Sequence, residues 1–215
     1  PKQKRFLGCL AADMITKIMP ALPPLYRFKL AVLVFVASSG RADVLDEIEK
    51  RVVRTAIQGK PGAFPSDTNM AVPPGVLNEW KTTSLTSWTS GFTAGLLWQL
   101  YNETGNSTLK DLAMQWTEGL RADQFDTSTH DIGFMVFDSF GKGVELGGVA
   151  QYTPVVLQAA ESLSTRFNAA VGSIQSWNAG HHCTFDKQIL TNFPVIIDNM
   201  MNLELLLWAS EHESN

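Results

Sequence analysis

Asp198 is the residue whose surroundings first suggest chemistry. It lies in the run FPVIIDNMMNLELLLWAS, residues 193–210, where most neighbours are apolar. Apolar surroundings disfavour a charged carboxylate and raise its pKa towards neutrality, as a proton donor at neutral pH requires. In a helix, near-helical steps would place four apolar side chains around it: Ile197, Met201, Leu205 and Trp208. The alternative role is structural, since Asp198 closely follows Pro194 and could accept backbone N–H groups in the first helical turn.

Asp131 is the second candidate carboxylate and lies in the stretch THDIGF, directly after His130. It could cap the N-terminus of a following helix, or it could share a site with Asp198. Two carboxylates facing one cleft are typical of enzymes that break glycosidic bonds, although their positions in the sequence do not place these two together. His130 could orient a substrate or share protons, whereas a single histidine is more often structural or solvent-facing.

Two tryptophans lie at the ends of periodic segments rather than inside apolar stripes. They are Trp88 in SWTSGF and Trp177 in SIQSW. Aromatic rings in such positions often form platforms on which the C–H face of a sugar packs. Three other tryptophans fit helical stripes and are predicted to lie in the core: Trp98, Trp116 and Trp208.

Charge and motif content exclude several classes of function. Residues 43–215 contain ten Lys and Arg residues against twenty Asp and Glu, which argues against a general nucleic-acid-binding face. The chain has no glycine-rich phosphate loop, nucleophilic serine elbow or Cys–His nucleophile pattern. The contiguous HHC at 181–183 lacks metal-ligand spacing, so no metal site is predicted.

The elements that must position these residues are predicted to be helices. Six segments show helical periodicity, and the last two begin at or next to a proline: 43–57, 87–103, 107–122, 131–143, 153–168 and 194–211. The Pro- and Gly-rich residues 58–75 indicate a long loop, and strand alternation is nearly absent. The pattern therefore predicts an all-α fold of paired helices, either a bundle or a helical toroid.

Residues 1–42 are predicted to be an upstream segment with a secretory signal peptide, and 43–215 to form the folded domain. From Met19 the chain has a short basic region, the apolar run LAVLVFVA and small residues, with cleavage expected after Ser39 or Ala42. The alternative is a buried helix or strand. Sequons at Asn102 and Asn106 fit a secreted glycoprotein, and no apolar run is long enough to span a membrane.

Taken together, SWTSGF, THDIGF, SIQSW and FPVIIDNMMNLELLLWAS resemble the unsaturated glucuronyl hydrolases, family 88 of the glycoside hydrolases. The resemblance covers about residues 80–211, and the HDIGF and IIDNMMNL pair is its most specific part. It implies an (α/α)6 toroid of which this chain supplies the N-terminal half. It also implies removal of a C4=C5 unsaturated uronic acid from the non-reducing end of lyase-generated oligosaccharides, of glycosaminoglycan type, without a metal or organic cofactor.

The resemblance also implies roles for individual residues. Asp198 matches the general acid/base that protonates C4 and helps deliver water to C5, and Asp131 matches the second essential carboxylate. His130 matches a substrate-contacting position. Trp88 and Trp177 match the stacking aromatics.

The chain departs from the family pattern in ways that keep other functions open. The segment 178–191 looks longer than expected, and no cationic group for the uronate carboxylate is evident. One alternative is a truncated, inactive fragment that binds a sugar or a partner. Another is a related hydrolase of unsaturated rhamnogalacturonan fragments. The sequence does not indicate an oligomeric state.

Overall fold

The computed structural model describes residues 44–68, 80–178 and 193–213. The expected signal peptide and the HHC stretch lie outside these residues. The described residues divide into two units between positions 51 and 52. Residues 44–51, the described part of the first unit, are helical, and their exposed side chains form i,i+4 ion pairs such as Lys50–Asp46 at 2.6 Å.

The second unit begins with helical residues 52–58 and continues through a succession of mostly short helices. The α-helices are α1 (Phe92–Thr104), α2 (Ser107–Glu118), α3 (Lys142–Glu145), α4 (Thr153–Ser164), α5 (Asn199–Asn202) and α6 (Glu204–His212). A π-helix spans Gly133–Gly141, and 3-10 turns span Arg121–Phe125 and Ala150–Tyr152. The predicted helical character of the chain is confirmed.

The connection between α1 and α2 shows how local sequence sets the helix ends. Gly105 ends α1 in the left-handed conformation, with φ 74°, which a glycine adopts without steric cost. Asn106 then caps α2, its side chain accepting a hydrogen bond from the Thr108 N–H at 3.0 Å. The tight connection lets α1 and α2 pack against each other as a pair.

The core of the second unit lies between these helices, the π-helix, α4 and α6. Trp98, Trp116 and Trp208 are buried, as predicted. Two of the buried indoles keep their N–H groups paired, because an unpaired polar group in a core is costly. Trp98 donates to Thr117 Oγ1 at 3.0 Å, and Trp116 donates to the Ala56 carbonyl at 3.3 Å.

Strands are few and short in the described part of the chain. β1 (Phe64–Thr68) pairs antiparallel with β2 (Trp80–Thr83), and β3 (Phe167–Asn168) pairs antiparallel with β4 (Ser173–Ile174). The prediction of an uninterrupted loop over 58–75 was therefore wrong at β1. Among the described residues, no helix combines the length and apolarity needed to cross a bilayer.

The last helical segment begins later than predicted. Residues 194–198 are not helical, and α5 begins only at Asn199. The reason is a competing backbone pairing with Ser176. The Ser176 N–H donates to the Pro194 carbonyl at 2.8 Å, and the Ile196 N–H donates to Ser176 Oγ at 3.0 Å. These bonds hold the segment in an extended form and bring Asp198 to the start of a helix.

Candidate active site

The structure brings His130, Asp131 and Asp198 together. Nε2 of His130 lies 3.3 Å from Oδ1 of Asp131 and 3.5 Å from Oδ1 of Asp198. One oxygen from each carboxylate and the imidazole nitrogen all lie within 4.8 Å of one another. The two candidate carboxylates therefore share one site, which sequence separation alone could not establish.

His130 is fully buried at the centre of this group, contrary to the solvent-facing alternative. Its backbone N–H donates to the Ser176 carbonyl at 3.0 Å, and the Trp177 ring meets the imidazole edge to face at 5.8 Å. Neither ring nitrogen makes a hydrogen bond of acceptable geometry among the described residues, although Nε2 is close to both carboxylates. The imidazole is thus fixed by packing, with Nε2 left to face the two acids.

Asp131 is held by Thr129 rather than by a helix N-terminus. The Thr129 hydroxyl donates to Asp131 Oδ2 at 2.8 Å, and the Asp131 N–H donates to the same hydroxyl oxygen at 3.1 Å. The π-helix begins at Gly133 with Ile132 as its N-cap residue, so the capping alternative for Asp131 was wrong. With Oδ2 engaged by Thr129, Oδ1 is the oxygen that faces His130.

Asp198 occupies the N-cap position of α5, but its side chain makes no capping hydrogen bond. The expected apolar surround was wrong in part, because Ile197 is 89% exposed and Met201 is 65% exposed. The expected rise in the pKa of Asp198 nevertheless holds. Burial of the carboxyl is the largest cause, and the negative charge of Asp131 adds to it, while His130 opposes both. Asp198 is thus disposed to hold a proton by its position beside Asp131 as well as by desolvation.

A cleft of about 760 Å³ opens beside Asp131. Both predicted platform residues, Trp88 and Trp177, line it. Trp88 is exposed on one side and packs edge to face on Phe92 at 5.7 Å, so its ring is held in a defined orientation. With two indoles and Asp131 in its wall, and Asp198 next to Asp131, the cleft can receive a sugar ring beside a pair of carboxylates.

A larger, apolar groove of about 940 Å³ contains none of these chemical groups. It is lined by residues such as Ile174, Val195 and Met200. An apolar groove without a titratable side chain offers no acid or base, so the smaller cleft is the candidate active site.

Arg166 is a supporting residue that the sequence did not reveal. It is buried, and its guanidinium donates to the carbonyls of Thr127 and Gln175 and to Oδ1 of Asn178. These acceptors belong to the two segments that carry Asp131 and Trp177. These hydrogen bonds make Arg166 a link between the two segments.

Asp123 is a second residue that sequence reasoning missed. It lines the cleft, is almost fully buried and has one oxygen, Oδ2, without a hydrogen-bond partner among the described residues. Burial, with a smaller contribution from the charge of Asp126, raises the pKa of Asp123 to about 7. Nothing in the sequence distinguishes it from a surface aspartate, since it lies in the largely polar run RADQFD.

Sequence comparison links the chain to curated enzymes. It is 44% identical over 125 residues to an unsaturated glucuronyl hydrolase of Formosa agariphila, covering 58% of this chain and 30% of that protein. It is 32% identical over 137 residues to an unsaturated glucuronyl hydrolase of a Bacillus species, covering 62% of this chain and 35% of that protein. No family model matches the sequence. The chain therefore spans about a third of the length of these curated relatives.

Structural comparison also finds unsaturated glucuronyl hydrolases. A heparin-specific unsaturated glucuronyl hydrolase superposes with a TM-score of 0.65 and 35% identity, covering 79% of this chain and 43% of that one. The enzyme of Bacillus sp. GL1 superposes with a TM-score of 0.61 and 27% identity, covering 79% of this chain and 41% of that one. These matches confirm the expected fold class, an incomplete (α/α)6 toroid, and the partial coverage fits the expected N-terminal half. The chain is thus similar in sequence and fold to unsaturated glucuronyl hydrolases over part of their length.

Proposed function

We propose that this chain carries the acid/base centre of a glycoside hydrolase that removes a C4=C5 unsaturated uronic acid from the non-reducing end of an oligosaccharide. The observation that carries the proposal is the shared site of Asp198 and Asp131, joined through Nε2 of His130 at 3.5 and 3.3 Å. The relatives support the substrate class, since those named above are unsaturated glucuronyl hydrolases. A relative from Streptococcus agalactiae is an unsaturated chondroitin disaccharide hydrolase.

The carboxylate spacing argues against an inverting displacement. An inverting glycosidase keeps its two carboxyl groups roughly 6.5–9.5 Å apart to leave room for the attacking water. Here one oxygen of Asp131 lies within 4.8 Å of one oxygen of Asp198. Two acids at this distance influence each other's protonation, and the raised pKa of Asp198 makes it the proton-bearing member.

In the proposed reaction, Asp198 donates its proton to C4 of the vinyl ether, and the resulting carboxylate accepts a proton from the water that adds to C5. The hydrated sugar is a hemiketal, which opens and releases the next sugar. Burial and the negative charge of Asp131 both raise the pKa of Asp198, and Nε2 of His130 lies close to both carboxylates. Trp88 and Trp177 position the sugar in the cleft.

The test is to incubate the chain with unsaturated chondroitin and heparin disaccharides and follow the ultraviolet absorbance of the C4=C5 bond. Loss of the band for at least one disaccharide is expected, because hydration removes the double bond. A saturated disaccharide of the same composition serves as the control and should stay intact. No loss with either unsaturated disaccharide, while a relative consumes both under the same conditions, would contradict the proposal for this chain.

We further propose that the protein is exported and glycosylated. The support is the leader-like composition of residues 19–42 and the two sequons. The side chain of Asn106 is exposed, and its Oδ1 caps α2. Expression in a eukaryotic secretory host should give medium-borne protein whose mass falls on enzymatic deglycosylation. Retention in the cytosol would contradict the proposal.

A further inference from the structure

We propose that His130, Asp131 and Asp198 form a binding site for one divalent cation of the zinc class. The ligand atoms are Nε2 of His130 and one oxygen from each carboxylate, all within 4.8 Å of one another. The sequence predicted no metal site. The only run of candidate metal ligands in the sequence was the HHC stretch. His130 and Asp131 lie far from Asp198 along the chain, and only the fold brings them together.

Two of the three ligand-atom spacings match tetrahedral zinc. Zinc binds imidazole nitrogen and carboxylate oxygen at about 2.0–2.2 Å, so two ligands of a tetrahedron lie roughly 3.3–3.6 Å apart. Nε2 of His130 lies 3.3 Å from the nearer Asp131 oxygen and 3.5 Å from the nearer Asp198 oxygen. Both distances fall in that range without side-chain rearrangement.

Unsatisfied atoms provide the second and independent reason. His130 is fully buried, yet neither ring nitrogen has a hydrogen-bond partner among the described residues. Oδ1 of Asp198 is likewise buried without a partner. Buried polar atoms without partners are costly, and a cation placed between them would satisfy Nε2 and both oxygens at once.

The surroundings complete the requirements of a site. The Thr129 hydroxyl donates to Asp131 Oδ2 at 2.8 Å, which orients the other oxygen towards the imidazole as a supporting hydrogen bond does in metal sites. The Asp198 side chain is 36% exposed, so a cation can enter from solvent and keep water as a fourth ligand. One imidazole and two carboxylates favour zinc over magnesium or calcium, which prefer six or more oxygen ligands.

The binding of the metal does not depend on the proposed hydrolase activity, although its consequence does. A cation held by Asp198 would replace the proton that the proposed reaction transfers to C4. Zinc would then inhibit the hydrolase, and a chelator would relieve the inhibition. Binding measured directly on the chain distinguishes a failure of this inference from a failure of the proposed function.

The test is calorimetric titration of zinc into the chelator-treated 215-residue chain, with cobalt(II) absorption as a report of tetrahedral geometry. We expect one equivalent to bind with visible d–d bands, and His130→Gln and Asp198→Asn each to weaken binding by at least about tenfold. His212→Gln and Cys183→Ser are the matched controls and should bind as the unaltered chain does. Circular dichroism shows whether each variant is folded. If His130→Gln is not folded, the test rests on Asp198→Asn, whose side chain is partly exposed.

Two results would overturn the inference. One is an absence of saturable binding by the unaltered chain. The other is an affinity that is unchanged in Asp198→Asn but lost in Cys183→Ser, which would assign the metal to the cysteine segment instead.

Discussion

The side-chain oxygen of Asn202 accepts a hydrogen bond from the backbone N–H of Phe134 at 2.9 Å. Asn202 belongs to the DNMMN segment that carries Asp198, and Phe134 belongs to the HDIGF segment that carries Asp131. The bond therefore ties together the two segments whose carboxylates meet. Gly133 allows this approach, since a Cβ there would come within 2.5 Å of the Asn202 Cα.

Replacing Asn202 with Leu should separate the two segments. The substitution leaves the buried N–H of Phe134 without a partner, which costs about 1–3 kcal/mol in the free energy of unfolding. Urea unfolding followed by circular dichroism measures this loss. Met201→Ala is the matched control, because its side chain is 65% exposed and should change stability by no more than about 0.5 kcal/mol. Equal effects of the two variants would contradict the role of this hydrogen bond.

Replacing Asp131 with Asn should shift the pH dependence of the proposed hydrolysis to lower pH. The negative charge of Asp131 helps to raise the pKa of Asp198, so an uncharged amide allows Asp198 to lose its proton at lower pH. The alkaline limb of the kcat profile, measured from the decay of the C4=C5 absorbance, should therefore move towards acid. Thr129→Val keeps the charge but removes the hydroxyl donor, and serves as the comparison. An unmoved alkaline limb in Asp131→Asn would show that the two carboxylates are not coupled.

Replacing Arg166 with Lys should loosen the cleft even though the positive charge is kept. A lysine cannot reproduce the planar set of donors that reaches Thr127, Gln175 and Asn178. Hydrogen bonds from a charged donor contribute about 1.5–3 kcal/mol each, so we expect a loss of at least about 2 kcal/mol in unfolding free energy. Lys110→Arg, at a partly buried lysine elsewhere, controls for a generic exchange of cations. An unfolding free energy of Arg166→Lys equal to that of the unaltered chain would contradict the view that Arg166 joins these two segments.

Replacing Asp123 with Asn should remove a pH-dependent loss of stability. The unfolded carboxyl has a pKa near 4, whereas the folded pKa is about 7. Between these values the folded state holds a proton that the unfolded state has released, so stability falls as pH rises through this window and stays low above it. The uncharged amide avoids that fall, and the gain at pH 8 should reach up to about 4 kcal/mol, at about 1.4 kcal/mol per pKa unit.

The measurement for Asp123→Asn is urea unfolding at pH 3.5 and pH 8. Little difference from the unaltered chain is expected at the lower pH, where Asp123 is protonated in both states. The exposed Asp111→Asn should match the unaltered chain at both pH values. A gain of the same size at pH 3.5 and pH 8 would mean that the effect does not come from ionisation.

Periodicity was sufficient to predict the helices and the buried tryptophans, because a helix that packs on a core must carry an apolar stripe. It failed at Pro194, where backbone pairing with Ser176 competes with helix formation and cannot be read from local sequence. The start of α5 therefore moved to Asn199, and this shift is what exposes Ile197 and places Asp198 beside His130.

The site itself was predicted through residue types and a family resemblance, while its supports were not. Asp198 and Asp131 stand in segments distinctive enough to be recognised. Arg166 and Asp123 lie in ordinary polar sequence, and their importance arises only from burial and from partners distant along the chain. No local pattern encodes such contacts.

The central claim is that Asp198 supplies the proton for hydration of the C4=C5 bond, and the most direct measurement is the rate of loss of the ultraviolet band in Asp198→Asn. The amide keeps the shape of the side chain but has no acidic proton, so the rate should fall by about 10²- to 10⁴-fold while disaccharide binding is retained. Asp111→Asn, at an exposed position on α2, should retain the unaltered rate. A rate in Asp198→Asn equal to that of the unaltered chain would contradict the account.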